Sequence, residues 1–323
     1  MPSDKANAIC LLSILRDYSD GEHIMPMGEI IKRMESVYGL RPDRRTVTSA
    51  IETLQTLGFD ISPYGENHKG YWLRGRKISE KEVRLLMDAV YSFSFLSARE
   101  TSSLLGKLQQ FLSVYSRKKY KNLAVIREEK KSQNKHVFDN IDLLDKAISK
   151  KVQVSFYYLA YGLDKKLHPR RLQRYVVNPY GMIFTNEHYY LNCTPARTDK
   201  TSLYRIDRID KLAIEQSEID TQEPKFNCRK QIKNVVYAHV GWPEPIAMLC
   251  SKSILDDVID KFGSGVWLKE QDQDTVRVRF TAPPRGVKYW ALQYLEHVEV
   301  TEPAWLREEI IKAIGVNKYG VKQ

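Results

Sequence analysis

Residues 41–73 read RPDRRTVTSAIETLQTLGFDISPYGENHKGYWL, and their order decides how the N-terminal part of this chain is built. Asp43 stands where a helix N-cap is needed, because its short carboxylate can accept the free N–H groups of a first turn. Val47, Ala50, Ile51, Leu54 and Leu57 recur at helical spacing and predict a buried stripe. Gly58 supplies the stop. Phe59–Ser62 and Tyr71–Leu73 then read as two short strands of a β-ribbon, with Asn67, His68 and Lys69 at its tip.

The other side of that helix carries Arg45, Thr48, Ser49 and Glu52 at i, i+3, i+4 and i+7. Arginine suits guanine edges or phosphates, and hydroxyls suit either bases or phosphates, so this face has the chemistry of a major-groove reader. Arg41 and Arg44, at the helix entrance, are placed for backbone phosphates, and Thr46 completes the polar set. A helix followed by a ribbon is the winged helix-turn-helix order, which implies binding to double-stranded DNA. Two earlier helices complete a three-helix core. One spans about 5–18 with Ala8, Leu11, Leu12 and Leu15. The other runs from Met27 to Tyr38 with Ile30, Ile31, Met34 and Val37, ended by Gly39.

A chain of 323 residues exceeds one ordinary core, so about two to four domains are expected. Its 42% hydrophobic and 28% charged residues are normal for a globular protein. No apolar run approaches the roughly 20 residues that cross a bilayer, and the N-terminus lacks a signal-peptide layout, so no membrane partner and a cytoplasmic location are expected. Cys10, Cys193, Cys228 and Cys250 form no CxxC pair and the histidines form no HxxxH spacing; neither a metal nor any other cofactor is expected.

The net charge of +11 points to a polyanionic partner, but it is unevenly placed. Residues 1–75 hold nine Lys and Arg against ten Asp and Glu, whereas residues 76–135 hold fourteen against six. The expected division is therefore a DNA-reading domain at 1–75, a basic helical connector at 76–135, a middle domain at 136–222 and a C-terminal domain at 223–323. In the connector, Ser79 with Glu82 and Ser97 with Glu100 are capping boxes that open helices of about 80–92 and 98–115. The cationic run Arg117, Lys118, Lys119 and Lys121 follows. It reads either as a basic end for flanking phosphates or as a solvated cluster on a linker, and the polar stretch Asn122–Lys135 reads as a hinge.

In the middle domain, a helix at Ile141–Ser149 precedes strand patterns at Val152–Tyr158, Arg174–Val177, Met182–Phe184 and Tyr189–Cys193. The Pro, Gly and Asn punctuation between them argues for a small curved sheet or barrel. Here the chain resembles the WYL domain family of bacterial regulators. His188-Tyr189-Tyr190-Leu191 is similar to the signature tripeptide, with Tyr189 in place of tryptophan. Val154-Ser155-Phe156-Tyr157, Tyr175-Val176-Val177-Asn178-Pro179-Tyr180 and Tyr204-Arg205-Ile206-Asp207-Arg208-Ile209 resemble other family segments in family order.

The resemblance implies a small Sm-like β-barrel that senses a nucleotide or single-stranded nucleic acid. Carried over residue by residue, it names Ser155, Tyr157, Tyr190, Arg205 and Arg208 as ligand-binding candidates, with Arg174 and Asn178 beside them. Their chemistry fits independently, since guanidinium forks suit phosphate and phenol rings suit bases. The plainer reading makes Tyr157 and Tyr190 core aromatics and pairs Arg205 with Asp207 or Asp210.

From residue 245 the pattern runs strand Pro245–Cys250, helix Ser253–Phe262, strands Val266–Lys269 and Thr275–Thr281, helix Pro284–Leu295, strand His297–Val300 and helix Pro303–Ile314. That is the split β-α-β-β-α-β, ferredoxin-like plan, and the whole chain is of the α+β class. Catalysis is not expected: Glu308 and Glu309 diverge on a helix, and His188 with Asp199 belongs to no acid–base or nucleophile motif. The leading expectation is a homodimeric, ligand-responsive regulator that binds duplex DNA. The alternative is a single-strand-binding accessory protein of a defence or CRISPR-type system.

Overall fold

The computed structural model describes residues 4–120, 131–196, 198, 201–219 and 243–316. It is a mixed α+β structure that divides into two compact units, Met1–Lys135 and His136–Gln323. No described helix is long and apolar enough to cross a membrane.

In the first unit, α1 (Asp4–Tyr18), α2 (Met27–Tyr38) and α3 (Arg44–Thr56) pack Leu11, Ile14, Leu15, Ile30, Met34, Val47, Ile51 and Leu54 into one core. Gly39 ends α2 in the left-handed region at φ 68°, where a side chain would strain. Two residues expected in the stripes are outside it. Leu57 is 69% exposed because α3 ends at Thr56 and the chain turns outward at its cap, and Val37 lies on the far side of α2 at 45% exposure.

The ribbon is also shorter than its sequence implies. It consists of single antiparallel bridges, Met25 with Tyr71 and Ile61 with Leu73, and a one-turn helix α4 (Tyr64–Asn67) fills the space between. Gly70 allows the first bridge, since a Cβ there would lie 2.1 Å from the Met25 carbonyl oxygen.

Helices α5 (Glu80–Ser92) and α6 (Ala98–Gln109) begin at the two capping boxes, each closed in both directions. The expected 98–115 helix is interrupted. Ser113 Oγ accepts the Ser116 N–H at 3.1 Å and starts a separate α7 (Val114–Lys119), because a serine hydroxyl offers the backbone an alternative to continuing the helix. Phe111, in the break, is 44% exposed.

These helices are tied to α1 and its following loop. The Arg76 guanidinium donates to the carbonyls of Arg16, Ser19 and Phe111 at 2.7–3.1 Å, and burial pulls its pKa down. Ser113 donates to Asp20 at 2.6 Å, and the His23 and Tyr115 rings stack at 3.7 Å. The end of the expected hinge is packed, with Lys131 Nζ donating to the Tyr91 and Phe93 carbonyls. Residues 121–130, including Lys121, lie outside the described residues.

The second unit opens with α8 (Val137–Lys150), followed by β1 (Val152–Tyr161), β2 (Leu167–Pro169), β3 (Tyr175–Thr185), β4 (His188–Pro195), β5 (Ser202–Arg205) and β6 (Ile209–Glu218). They form one curled antiparallel sheet in which β1 pairs with β2, β3 and β6, and β3, β4 and β5 follow in order. The two short strands expected at 174–177 and 182–184 are a single 11-residue strand, bent by a register shift between Pro179 and Gly181.

A second sheet follows, made by β7 (Glu244–Ser251), β8 (Trp267–Glu270), β9 (Thr275–Ala282) and β10 (Val298–Glu302) in the order β10-β7-β9-β8. Helices α9 (Leu255–Phe262), α10 (Pro284–Gln293) and α11 (Ala304–Gly315) alternate with the strands. Ile246, Met248, Cys250, Val276 and Val278 from the sheet meet Val258, Val287, Trp290, Leu306 and Ile310 from the helices in its core. Asp199 and Cys228 lie outside the described residues.

Candidate nucleic-acid interface and sensor site

On α3, Asp43 Oδ1 accepts the Thr46 N–H at 2.7 Å, and this bond holds the Asp43 carboxyl below the usual carboxylate range. The cap fixes where the helix starts and therefore which residues face out. Arg44, Arg45, Ser49 and Glu52 are exposed, while Thr46 and Thr48 are half-buried. Arg44 and Arg45 make no ion pair with any described residue. The Thr48 hydroxyl donates to the Arg44 carbonyl at 2.9 Å, so it has only acceptor capacity left to offer.

Other expected contacts are differently employed. Arg41 is paired with Glu35. Asn67 does not present its amide outward: its oxygen accepts the Lys69 and Gly70 N–H groups at 2.7 and 2.9 Å, and its nitrogen donates to the Gly70 carbonyl at 3.1 Å. It shapes the loop that leaves His68 and Lys69 exposed, with His68 in the left-handed region at φ 53°. In the connector, Arg117 caps the Gln109 and Leu112 carbonyls and Lys119 pairs with Glu22 at 2.9 Å. Of that basic run, Lys118 is the described cation without an ion pair.

The seven sensor candidates fall into separate groups. Arg174 donates to Ser155 Oγ and to the Ser155 carbonyl, both at 2.9 Å, and to the Lys211 carbonyl at 2.5 Å, with its guanidinium 5.2 Å from the centre of the Tyr157 ring. Three donors engaged on β1 and β6 make it a clamp on the sheet. Asn178 is elsewhere, bonded to Gln153 and Thr194 at the β3 bend.

Tyr190 and Arg205 face each other across β4 and β5. Arg205 is held by Asp207 through two hydrogen bonds of 3.0 and 2.6 Å, which settles the open alternative in favour of Asp207. Burial, reinforced by the Arg205 charge, lowers the pKa of the neighbouring His188. Arg208 lies 5.7 Å from the Tyr161 ring centre and has no described ion pair.

The sequence reading missed an aromatic cluster beside these groups. Phe156, Tyr158, Tyr175 and Tyr204 contact one another at ring separations of 4.9–6.1 Å. Arg171 stacks 3.6 Å over Tyr175, and Arg170 lies 5.9 Å from Tyr158. Both arginines are exposed. Such a surface offers cations on a rigid aromatic base, the combination that takes a phosphate and a nucleobase together. The signal was present as His168-Pro169-Arg170-Arg171 just ahead of Arg174-Tyr175. Among the described residues no three His, Cys, Asp or Glu side chains form a metal-ligand group.

Comparison with known proteins places these regions. A WYL domain model matches residues 139–214 and a WCX domain model matches residues 242–315. No curated protein matches the chain. Among solved structures it is similar to proteasome accessory factor B/C (PafBC) of Arthrobacter aurescens, with 12% identity and a TM-score of 0.28 over 97% of this chain and 48% of that one. It therefore spans about half the length of that protein. It is also similar to a CRISPR Cas-related protein, with 14% identity and a TM-score of 0.38 over 96% of this chain and 83% of the other. The chain is a WYL-domain protein in which a WCX domain follows the WYL domain.

Proposed function

We propose that this protein is a homodimeric DNA-binding transcriptional regulator whose grip on duplex DNA responds to a nucleotide or nucleic-acid ligand held by its WYL domain. The observation that carries the reading is the outer face of α3. One side of the helix is locked into the core by Val47, Ala50, Ile51 and Leu54. The other presents Arg45, Ser49 and Glu52 to solvent, with Arg44 exposed at the helix entrance.

A dimer would place two such helices on two half-sites about one helical turn apart, or a multiple of that. His68 and Lys69 would reach the backbone beside each. Ligand control requires a difference in ligand affinity between the DNA-competent and incompetent states. The Arg170, Arg171, Arg208 and Tyr175 surface is the best site for such a ligand. In our reading the WYL sheet is an Sm-like barrel and the WCX region a ferredoxin-like domain that sets the dimer. Selection of bound sequences from a random duplex pool tests the proposal. A shared motif supports it, and a pool that stays unenriched removes it.

The alternative, a single-strand-binding accessory protein of a defence or CRISPR-type system, draws on the same arginine-and-tyrosine surface. Single strands bound far more tightly than any duplex, with Arg45→Ala without effect on either, would favour it.

A further inference from the structure

The WCX sheet has two faces, and its helices serve only one. Val276 and Val278 on β9, with Ile246, Met248 and Cys250 on β7, turn toward the helices. The alternate residues turn away, and the register aligns them in rows. Trp267, Arg279 and Ala247 are paired neighbours across β8, β9 and β7, and Lys269, Arg277 and Leu249 form the next row. Trp267 is 47% exposed, and Lys269 and Arg279 are exposed with it. The Arg279 guanidinium lies 5.4 Å from the centre of the Trp267 ring.

None of Lys269, Arg277 and Arg279 has an ion-pair partner among the described residues. Arg277 Nε is buried without a hydrogen-bond acceptor, a costly state for a charged donor. Glu299, the carboxylate in the row beyond Leu249, is occupied by Arg307 at 2.8 Å. Among the described residues the face therefore carries three cations without an ion-pair partner next to one exposed indole.

We propose that this face of the WCX sheet, formed by Trp267, Lys269, Arg277 and Arg279, binds single-stranded nucleic acid. The indole stacks on a base, while the arginines and the lysine take successive phosphates along β8 and β9. Side chains two residues apart on one strand stand about 6.6 Å from each other, so Arg277 and Arg279 reach neighbouring positions on an extended ligand. A second copy of the chain is the poorer occupant, because a two-fold interface would set these cations against their own equivalents. The proposal goes beyond duplex reading by α3 and does not depend on it.

The test uses the full chain and a labelled oligothymidylate of about ten nucleotides, followed by fluorescence anisotropy at several salt concentrations. Trp267→Ala weakens binding about tenfold, while Trp267→Phe, which keeps an aromatic face, retains most of it. The Arg277→Ala/Arg279→Ala pair lowers the slope of log affinity against log salt by about 1.4. The exposed Arg279→Gln alone lowers it by about half as much and carries the test if the pair does not fold. The same losses appear in an Arg208→Ala background, which separates this face from the WYL surface. Unchanged affinity and slope in all these variants overturn the proposal. So does a Trp267→Ala protein that loses a dimer in native mass spectrometry but binds the oligonucleotide as before. Neither result bears on duplex selection, which is read from α3.

Discussion

Arg205 and Asp207 are locked together by two hydrogen bonds, and the carboxylate is almost wholly buried, at 5% exposure. This pair closes the turn between β5 and β6 and fixes the strand edge that carries Tyr190 opposite Arg205. A half-buried cation whose partner is removed is left uncompensated. Asp207→Ala therefore destabilises the protein by about 3 kcal/mol, measured by urea unfolding. Asp207→Asn keeps the volume and one acceptor and costs less. A loss under about 1 kcal/mol in the alanine variant would show that Arg205 is satisfied without Asp207.

Arg174 holds β1 to the Lys211 region of β6 through Ser155, so its role in our account is architectural. Arg174→Ala removes three hydrogen bonds and lowers stability by about 2 kcal/mol. Arg174→Lys does not restore it, because an ammonium cannot reproduce the fork that meets a hydroxyl and two carbonyls at once. Equal stability of the lysine variant and the parent in thermal unfolding would contradict this.

Burial among Phe156, Tyr158 and Tyr175 pushes the Tyr204 phenol up to about 12 from its ordinary value near 10. The folded pKa is raised, so the stability linked to this group is fully present below pH 10 and is lost as pH rises through 12. Tyr204→Phe should flatten the fall in stability between pH 10 and 12. A parallel fall in both proteins, followed by unfolding midpoints across that range, would mean Tyr204 does not contribute to alkaline sensitivity.

Arg171, stacked on Tyr175, is an exposed cation on the WYL aromatic cluster. Arg171→Ala should weaken binding of a nucleotide or short oligonucleotide to the WYL domain roughly tenfold while leaving thermal stability unchanged. Calorimetric titration gives the first quantity and a melting curve the second. A large drop in melting temperature with unchanged affinity would reverse the assignment.

Much of this architecture was legible where one local rule acted alone. Asp43, Ser79 and Ser97 placed the starts of α3, α5 and α6 because a cap is decided within four residues. The β-α-β-β-α-β order of residues 244–302, and the helix after it, followed from period and punctuation. Reading failed where two local preferences competed. Ser113 could sit inside a helix or start a new one, and its bonds to Ser116 and Asp20 decided the matter through a residue 93 positions away.

Site residues were less legible for the same reason. Arginine chemistry is visible in sequence, but whether Arg174 and Arg205 face a ligand or grip Ser155 and Asp207 depends on register between strands. The Phe156, Tyr158, Tyr175 and Tyr204 cluster draws on three strands, so no short motif contains it.

The central claim is that the exposed side of α3 reads duplex DNA, and comparative sequence selection tests it most directly. The parent protein and Arg45→Ala are each incubated with the same random duplex pool, and the bound fractions are sequenced. Our account predicts one motif of two related half-sites for the parent, and for Arg45→Ala a loss of preference at one position in each half, worth about 1–3 kcal/mol. Identical enrichment by both proteins, or none by either, would contradict it.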